Sequence, residues 1–317
     1  MNLLVAPHLP SPARVHASSR PPLTVGVVQT RWHPDPAEHA AVLGDAVAQA
    51  AEAGAQLVVL PELTLSRYPA DTRPVGEPCA AAEVLEGGPT HAFAAAAAAR
   101  TGVLVHASLY ERADAGDGLG YNTAILVAPD GRLLARTRKL HIPVTAGYYE
   151  DLYFRPGPAD EPYPVVPLDL PGTPRLGLPT CWDQWFPEVA RAYRLGGAQL
   201  LVYPTAIGSE PDHPGFDTAP LWRQVMVGHA IANGLFVVAA NRWGAEGAVT
   251  FYGSSFVADP YGRVLVQAPG DEDAVLLAEL DLAQGDDWLD LFPFLATRRP
   301  DTYGALVAPR DDEPAGG

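Results

Sequence analysis

Lysine is all but absent from this chain. Of its 317 residues 21 are basic, and Lys139 is the single lysine among them. Acidic residues outnumber basic ones at 37, which leaves a formal charge of −16 with histidines neutral. Such a chain lacks the basic footprint that a phosphate backbone demands, so nucleic acid is excluded as a partner, and docking on anionic lipid is equally disfavoured. The same charge favours the approach of a small cation. Cysteine is scarce too. Cys79 and Cys181 are the whole complement, too few for a disulfide framework or a cysteine-built metal cluster. With no sustained apolar stretch in the first twenty residues, that scarcity points to a cytoplasmic protein. A run of about 18 apolar residues, enough to span a bilayer, is also missing; the alanines at 94–99 are too few and read as helix.

What is present suits one α/β domain, with 48% hydrophobic and 18% charged residues. Residues 1–22 are rich in Pro and Ser without periodicity, and read as a flexible N-terminal extension to a single domain over 23–317. From residue 23 short apolar runs alternate with helical patterns. Strands are expected at 23–29, 57–60, 103–110, 122–127 and 132–137, with helices at 36–53 and 89–101. The pattern then returns, with strands at 175–180, 199–203, 235–240, 255–258, 263–267 and 274–280 and helices at 187–195 and 220–233. Words repeat as well as order. Gly-Ala-Gln-Leu-Val-Val-Leu-Pro ending at Pro61 matches Gly-Ala-Gln-Leu-Leu-Val-Tyr-Pro ending at Pro204, and the turn Ala-Pro-Asp-Gly-Arg at 128–132 matches Ala-Asp-Pro-Tyr-Gly-Arg at 258–263. Buried strands alternating with helices imply parallel pairing with helices on the sheet. Two such halves, each covered on one face, pack sheet against sheet. The expected fold is an internally duplicated four-layer α-β-β-α sandwich.

In open α/β sheets reactive groups gather at the carboxyl ends of strands. Glu62 ends the strand at 57–60 and Cys181 ends the strand at 175–180. A carboxylate at the mouth of an apolar strand is desolvated and suits acid–base work, although a lone Glu there is more often a solvated or capping residue. Cys181 stands before a helical turn, where backbone N–H groups favour a thiolate; a lone cysteine is otherwise a buried, inert one. Lys139 lies in Arg-Lys-Leu-His-Ile-Pro after the first hairpin. A chain that uses arginine everywhere else retains here a compact ammonium, the form suited to holding an oxyanion.

Leu-Pro-Glu62, Arg-Lys139-Leu-His-Ile-Pro and Cys181-Trp-Asp-Gln-Trp-Phe-Pro-Glu fall in the order Glu, Lys, Cys, and with them the chain from about Val25 to Tyr303 resembles the nitrilase (carbon–nitrogen hydrolase) superfamily. Ala240-Asn241-Arg242, Gly253-Ser254-Ser255 and the stretch 299–303 add to the likeness. Within it, residues 181–188, 203–211 and 147–154 are similar to the N-carbamoylputrescine amidase branch. The resemblance implies the α-β-β-α sandwich, a homodimer or larger homo-oligomer, a small-molecule amide or carbamoyl substrate with water, and no cofactor or metal. It implies Cys181 as nucleophile, Glu62 as general base, Lys139 and the Trp182 backbone N–H as oxyanion donors, and Glu150 as a second glutamate that positions Lys139. Substrate-binding roles fall to Tyr68, Trp182, Thr205 and Glu210, the last for a distal ammonium, with His141 as a supporting hydrogen-bonding group. His33, His91, His106, His213 and His229 lack ligand spacing and read as structural, and Cys79 as a bystander. Three stretches depart from the branch, at residues 63–69, at Val144-Thr145-Ala146, and at Thr180. They surround the pocket, so they bear on the substrate and leave the reaction class intact. The alternative within the superfamily is an amidase acting on a primary carboxamide.

Overall fold

A computed structural model describes residues 1–308; the last nine residues of the expected domain, 309–317, lie outside them. Among the described residues the strands are β1 (Asn2–Val5), β2 (Leu23–Gln29), β3 (Leu57–Val59), β4 (Leu104–Glu111), β5 (Tyr121–Val127) and β6 (Leu133–Arg138), then two short pairing segments, β7 (Val144–Thr145) and β8 (Tyr148–Tyr149). The chain continues through β9 (Val165–Pro167), β10 (Arg175–Gly177), β11 (Leu200–Thr205), β12 (Phe236–Asn241), β13 (Trp243–Glu246), β14 (Val249–Tyr252), β15 (Phe256–Ala258), β16 (Val264–Gln267) and β17 (Ala274–Leu280). The helices are α1 (Pro36–Glu52), α2 (Pro89–Thr101), α3 (Pro187–Leu195), α4 (Ala219–Asn233) and α5 (Ala283–Leu291).

One sheet runs β1-β17-β2-β3-β4-β5-β6 and the other β16-β15-β12-β11-β10-β9. The duplication is visible in the pairing. In the first sheet β2, β3 and β4 are parallel, followed by antiparallel β5 and β6. In the second, β10, β11 and β12 are parallel, followed by antiparallel β15 and β16. Even the irregularities correspond, since each hairpin shifts register just before its turn, at Leu126/Val127 and at Val257/Ala258. Both turns place a glycine in the left-handed region, Gly131 at φ 84° and Gly262 at φ 79°, where a side chain would be strained.

Alternate residues of each strand face opposite ways, so each sheet has two apolar faces. Leu23, Val25, Leu57 and Val59 meet Leu200, Val202, Phe236 and Val238 in the layer between the sheets. The other face of the first sheet packs on α1 and α2 through Leu43, Val47, Ala94 and Ala98. The other face of the second packs on α3 and α4 through Val189, Tyr193, Trp222 and Met226. Close approach of α1 is permitted by Gly26, where an added Cβ would stand 2.7 Å from the Ala50 methyl. The start of α1 is set by Asp35, whose side chain accepts from the N–H groups of Ala37 and Glu38, with Pro36 in the first turn.

Part of residues 1–22, expected as a flexible extension, lies against the domain. β1 pairs in parallel with β17, from Asn2 beside Ala274 to Val5 beside Leu277. Leu4, Ala6 and Leu9 pack on the inter-sheet core. Arg14 donates to Asp281 at 2.5 Å and to Asp287 at 2.9 Å, which pins the segment to the region of α5. Its partners lie some 270 positions away, so no local periodicity announces it. Among the described residues no helix is long and apolar enough to cross a membrane.

Candidate active site

Glu62, Lys139, Glu150 and Cys181 come from four separate loops and meet beneath one cleft. Glu62 follows β3, Lys139 follows β6, Glu150 follows β8 and Cys181 follows β10. All four are buried, at 4% exposure or less. Two of the turns are strained. Leu63, directly after Glu62, has φ 49°, and Cys181 itself has φ 37°. A non-glycine residue in that region costs about 1–3 kcal/mol and persists only where surrounding contacts impose it.

The charged groups form one unit. Lys139 Nζ lies 2.9 Å from Glu62 Oε1, and 2.9 Å and 2.7 Å from the two oxygens of Glu150. Burial alone would lower the lysine, but the charges of Glu150 and Glu62 more than offset it and hold the ammonium protonated. It therefore acts as a fixed cation. Burial, with the neighbouring Glu62 charge, pushes Glu150 up to about 7, against the opposing pull of Lys139. The Tyr68 hydroxyl donates to Glu150 Oε1 at 2.8 Å.

Glu62 is held on one side only. Its Oε1 accepts from Asn122 Nδ2 at 2.7 Å as well as from Lys139. Its Oε2 is buried and without a hydrogen-bond partner. A buried carboxylate oxygen normally finds a donor. One left without a donor is free to accept a proton.

Cys181 opens the short helical turn Cys181–Trp185, and its Sγ lies 3.9 Å from the Ala206 carbonyl. Burial pushes the thiol well above its ordinary value; the charges of Glu62 and Glu150 add to this, and Lys139 offsets it only in part. The expectation of a thiolate favoured by a helix N-terminus is thus corrected. Lys139 is outweighed at the sulfur, which favours the neutral thiol. The turn is fastened by Asp183. Its Oδ2 accepts the Thr180 N–H at 3.1 Å, and its Oδ1 accepts the His141 N–H at 3.1 Å and stands 2.7 Å from His141 Nδ1. His141 stacks on Phe186 with ring centroids 3.7 Å apart. It therefore supports the nucleophile turn from behind.

The cleft above Cys181 is narrow, with about 300 Å³ of empty space including its mouth. It is lined by Pro143, Thr145, Tyr148, Glu150, Trp182 and Glu210 among others. Beyond it, Thr145, Ala146, Glu210, Asp212 and His213 form an outer recess. Trp182 and Glu210 thus both line the cleft. Burial pushes Glu210 up, with His213 opposing. Tyr68 and Thr205 do not line the cleft. The Tyr68 side chain is fully buried behind Glu150, and the Thr205 hydroxyl donates to the Tyr203 carbonyl at 3.1 Å. Tyr148, by contrast, lines the cleft. Its hydroxyl accepts the Gly208 N–H at 2.9 Å and donates to the Ser209 carbonyl, so it ties the cleft's two walls together. Asn122 is the second residue of β5 with no motif around it, while Asp183 stands in the cysteine motif, three residues after Thr180 as a capping residue would be. Cys79 lies apart in the turn Pro78–Ala81. Among the described residues no three His, Cys, Asp or Glu side chains are grouped as a metal requires.

The sequence profile of the carbon–nitrogen hydrolase family matches residues 24–289. The chain is 36% identical over 295 residues to a citrullinase of Francisella tularensis, covering 90% of this chain and 98% of that protein. It is 40% identical over 227 residues to an N-carbamoylputrescine amidase of Arabidopsis thaliana, covering 69% and 73%. Among solved structures, a carbon–nitrogen hydrolase from Helicobacter pylori superposes with a TM-score of 0.77 at 32% identity, covering 90% of this chain and 99% of that one.

Proposed function

The chain belongs to the carbon–nitrogen hydrolase (nitrilase) family and is a hydrolase acting on amide-type C–N bonds, and on that footing we propose that its substrate is an N-carbamoyl amine of the N-carbamoylputrescine kind. Cys181 Sγ attacks the carbamoyl carbon while Glu62 Oε2 takes the thiol proton. Lys139 and the Trp182 backbone N–H hold the tetrahedral oxyanion, each such donor contributing about 3 kcal/mol in comparable sites. Glu62 passes the proton to the departing ammonia, leaving a thiocarbamate on sulfur. Water, deprotonated by Glu62, then cleaves the thiocarbamate, and the released carbamate decomposes to CO2 and the free amine. The single observation that carries the reaction is the open Glu62 Oε2, buried and unpartnered beside a cationic Lys139.

The names of the two relatives share a chemistry. Citrulline and N-carbamoylputrescine each end in a ureido group on an alkyl chain, and they differ in the α-carboxylate that citrulline carries at its far end. The residues lining the cleft and its outer recess include Glu210 and Asp212 and no arginine or lysine. That supports an ammonium at the distal end and disfavours a carboxylate there. A panel of carbamoylated diamines, carbamoylated amino acids and plain amides, assayed for ammonia and CO2, tests the reading. A carbamoylated diamine should be the best substrate, with ammonia and CO2 released in equal amounts. Ammonia without CO2 from a preferred plain amide would replace it with the amidase reading. Glu210→Gln should lower the preference for a carbamoylated diamine over a carbamoylated monoamine about tenfold in kcat/KM; an unchanged ratio would remove the ammonium role.

A further inference from the structure

Arg242 belongs to the second half of the molecule, yet its guanidinium is committed to the first. It follows β12 and is 3% exposed. One terminal nitrogen is within hydrogen-bond distance of the carbonyls of Glu62 at 2.6 Å, Leu63 at 3.1 Å and Ser66 at 3.1 Å. The other donates to both oxygens of Glu246, at 2.8 Å and 3.0 Å. Glu246 in turn accepts the Tyr68 N–H at 2.8 Å, and the Tyr68 hydroxyl donates to Glu150. With Glu150 and Glu62 both on Lys139, these contacts close a ring. It runs from the Glu62 loop through Arg242, Glu246, Tyr68, Glu150 and Lys139 back to Glu62.

The loop needs such a clamp. It turns three carbonyls toward one point and holds Leu63 at φ 49°, an arrangement that a cation at the focus stabilises and that would open without one. The direction of Glu62 Oε2 depends on the backbone at 62–66. We propose that Arg242, oriented by Glu246, is a positioning residue for the reaction: by gathering the carbonyls of the Glu62 loop it fixes the Glu62 carboxylate among the charged groups beside Cys181, without touching substrate. A planar fork with donors on two nitrogens can serve the carbonyls and Glu246 together, and an ammonium cannot.

The inference rests on Glu62 being the base, so Glu62→Gln is measured alongside. In Arg242→Ala, kcat per folded active site should fall about 100-fold with KM changed less than about threefold. Millimolar guanidinium should restore kcat about tenfold, and Arg242→Lys should be as slow as Arg242→Ala. A wild-type kcat per folded active site in Arg242→Ala, with all loss in the folded fraction and no response to guanidinium, would overturn the positioning role. If Arg242→Ala does not fold, Glu246→Gln decides. It keeps an acceptor for Tyr68 and removes the charge that orients the fork. It should lower kcat about tenfold at unchanged KM, and a wild-type kcat there would equally overturn the inference. An active Glu62→Gln would instead remove the base assignment itself, whatever the Arg242 variants do.

Discussion

In the first half the loop after the middle parallel strand, β3, carries the buried carboxylate Glu62. In the second half the loop after the equivalent strand, β11, carries Ala206 and Ile207, which only wall the cleft. At the neighbouring strand the order reverses. β10 leads to Cys181, whereas its counterpart β2 leads to Thr30, whose hydroxyl is turned to the carbonyl of Arg31. Duplication therefore supplied equivalent strand ends, and the two copies filled different ones. The first half contributes all three charged groups, Glu62, Lys139 and Glu150, already locked together. The second contributes the uncharged thiol. The halves are then coupled by residues crossing between them, Asp183 to His141 in one direction and Arg242 to the Glu62 loop in the other. Burial and the carboxylates of the charged unit favour the protonated Cys181 thiol.

That division of labour can be broken most severely at Lys139. Lys139→Met leaves two buried carboxylates facing each other, and removing one partner of a buried ion pair costs about 3–5 kcal/mol. Denaturant unfolding should show that loss, and ammonia release should fall to background. Retained activity in a folded Lys139→Met protein would separate the charged unit from the reaction. Asn122→Ala is milder. It frees Glu62 Oε1 from one donor and costs about 1–3 kcal/mol at that oxygen, so steady-state kinetics should show kcat about tenfold lower with KM nearly unchanged. A change in KM alone would mean that Asn122 acts on binding.

The smallest effect concerns the layer where the halves meet. His106 in β4 is fully buried with neither ring nitrogen hydrogen-bonded, and burial holds it down at about 3. Unfolded, it binds a proton below 6.5, so the unfolded state carries the extra proton between about 3 and 6.5. Its contribution is complete above 6.5 and is lost as pH falls, at roughly 1.4 kcal/mol per pH unit. His39 and His229, also lowered by burial, act in the same direction. Stability measured from pH 7 to 5 should decline, and in His106→Leu the slope should lessen by close to one proton. An equal slope in both proteins would place the acid sensitivity elsewhere.

The layers and most elements were legible because their signals are local. The helices at 89–101 and 187–195 and the strands at 23–29 and 274–280 were read at their observed bounds, and the repeated eight-residue words pointed to the duplication. β1 escaped because four residues followed by Pro7 and Pro10 show no period, and their pairing partner is near the other end of the chain. The charged residues stood out for the same local reason: a solitary lysine, a Glu ending an apolar strand, and a Cys before a proline-led helix. Asn122 and Arg242 did not, since an amide in a strand or an arginine between two strands takes its role from what the other loops bring to it. Tyr68 shows the opposite error. An aromatic after Glu62 suggested a pocket wall, but an apolar cluster with Tyr148, Tyr153 and Phe251 draws it behind Glu150.

The central claim is that one thiol from the second half does the attack that the charged unit of the first half prepares. It is tested most directly by ammonia release from a carbamoylated diamine with Cys181→Ala, at a melting temperature matching wild type. The account predicts release at background level from a folded protein. Release at the wild-type rate would contradict it.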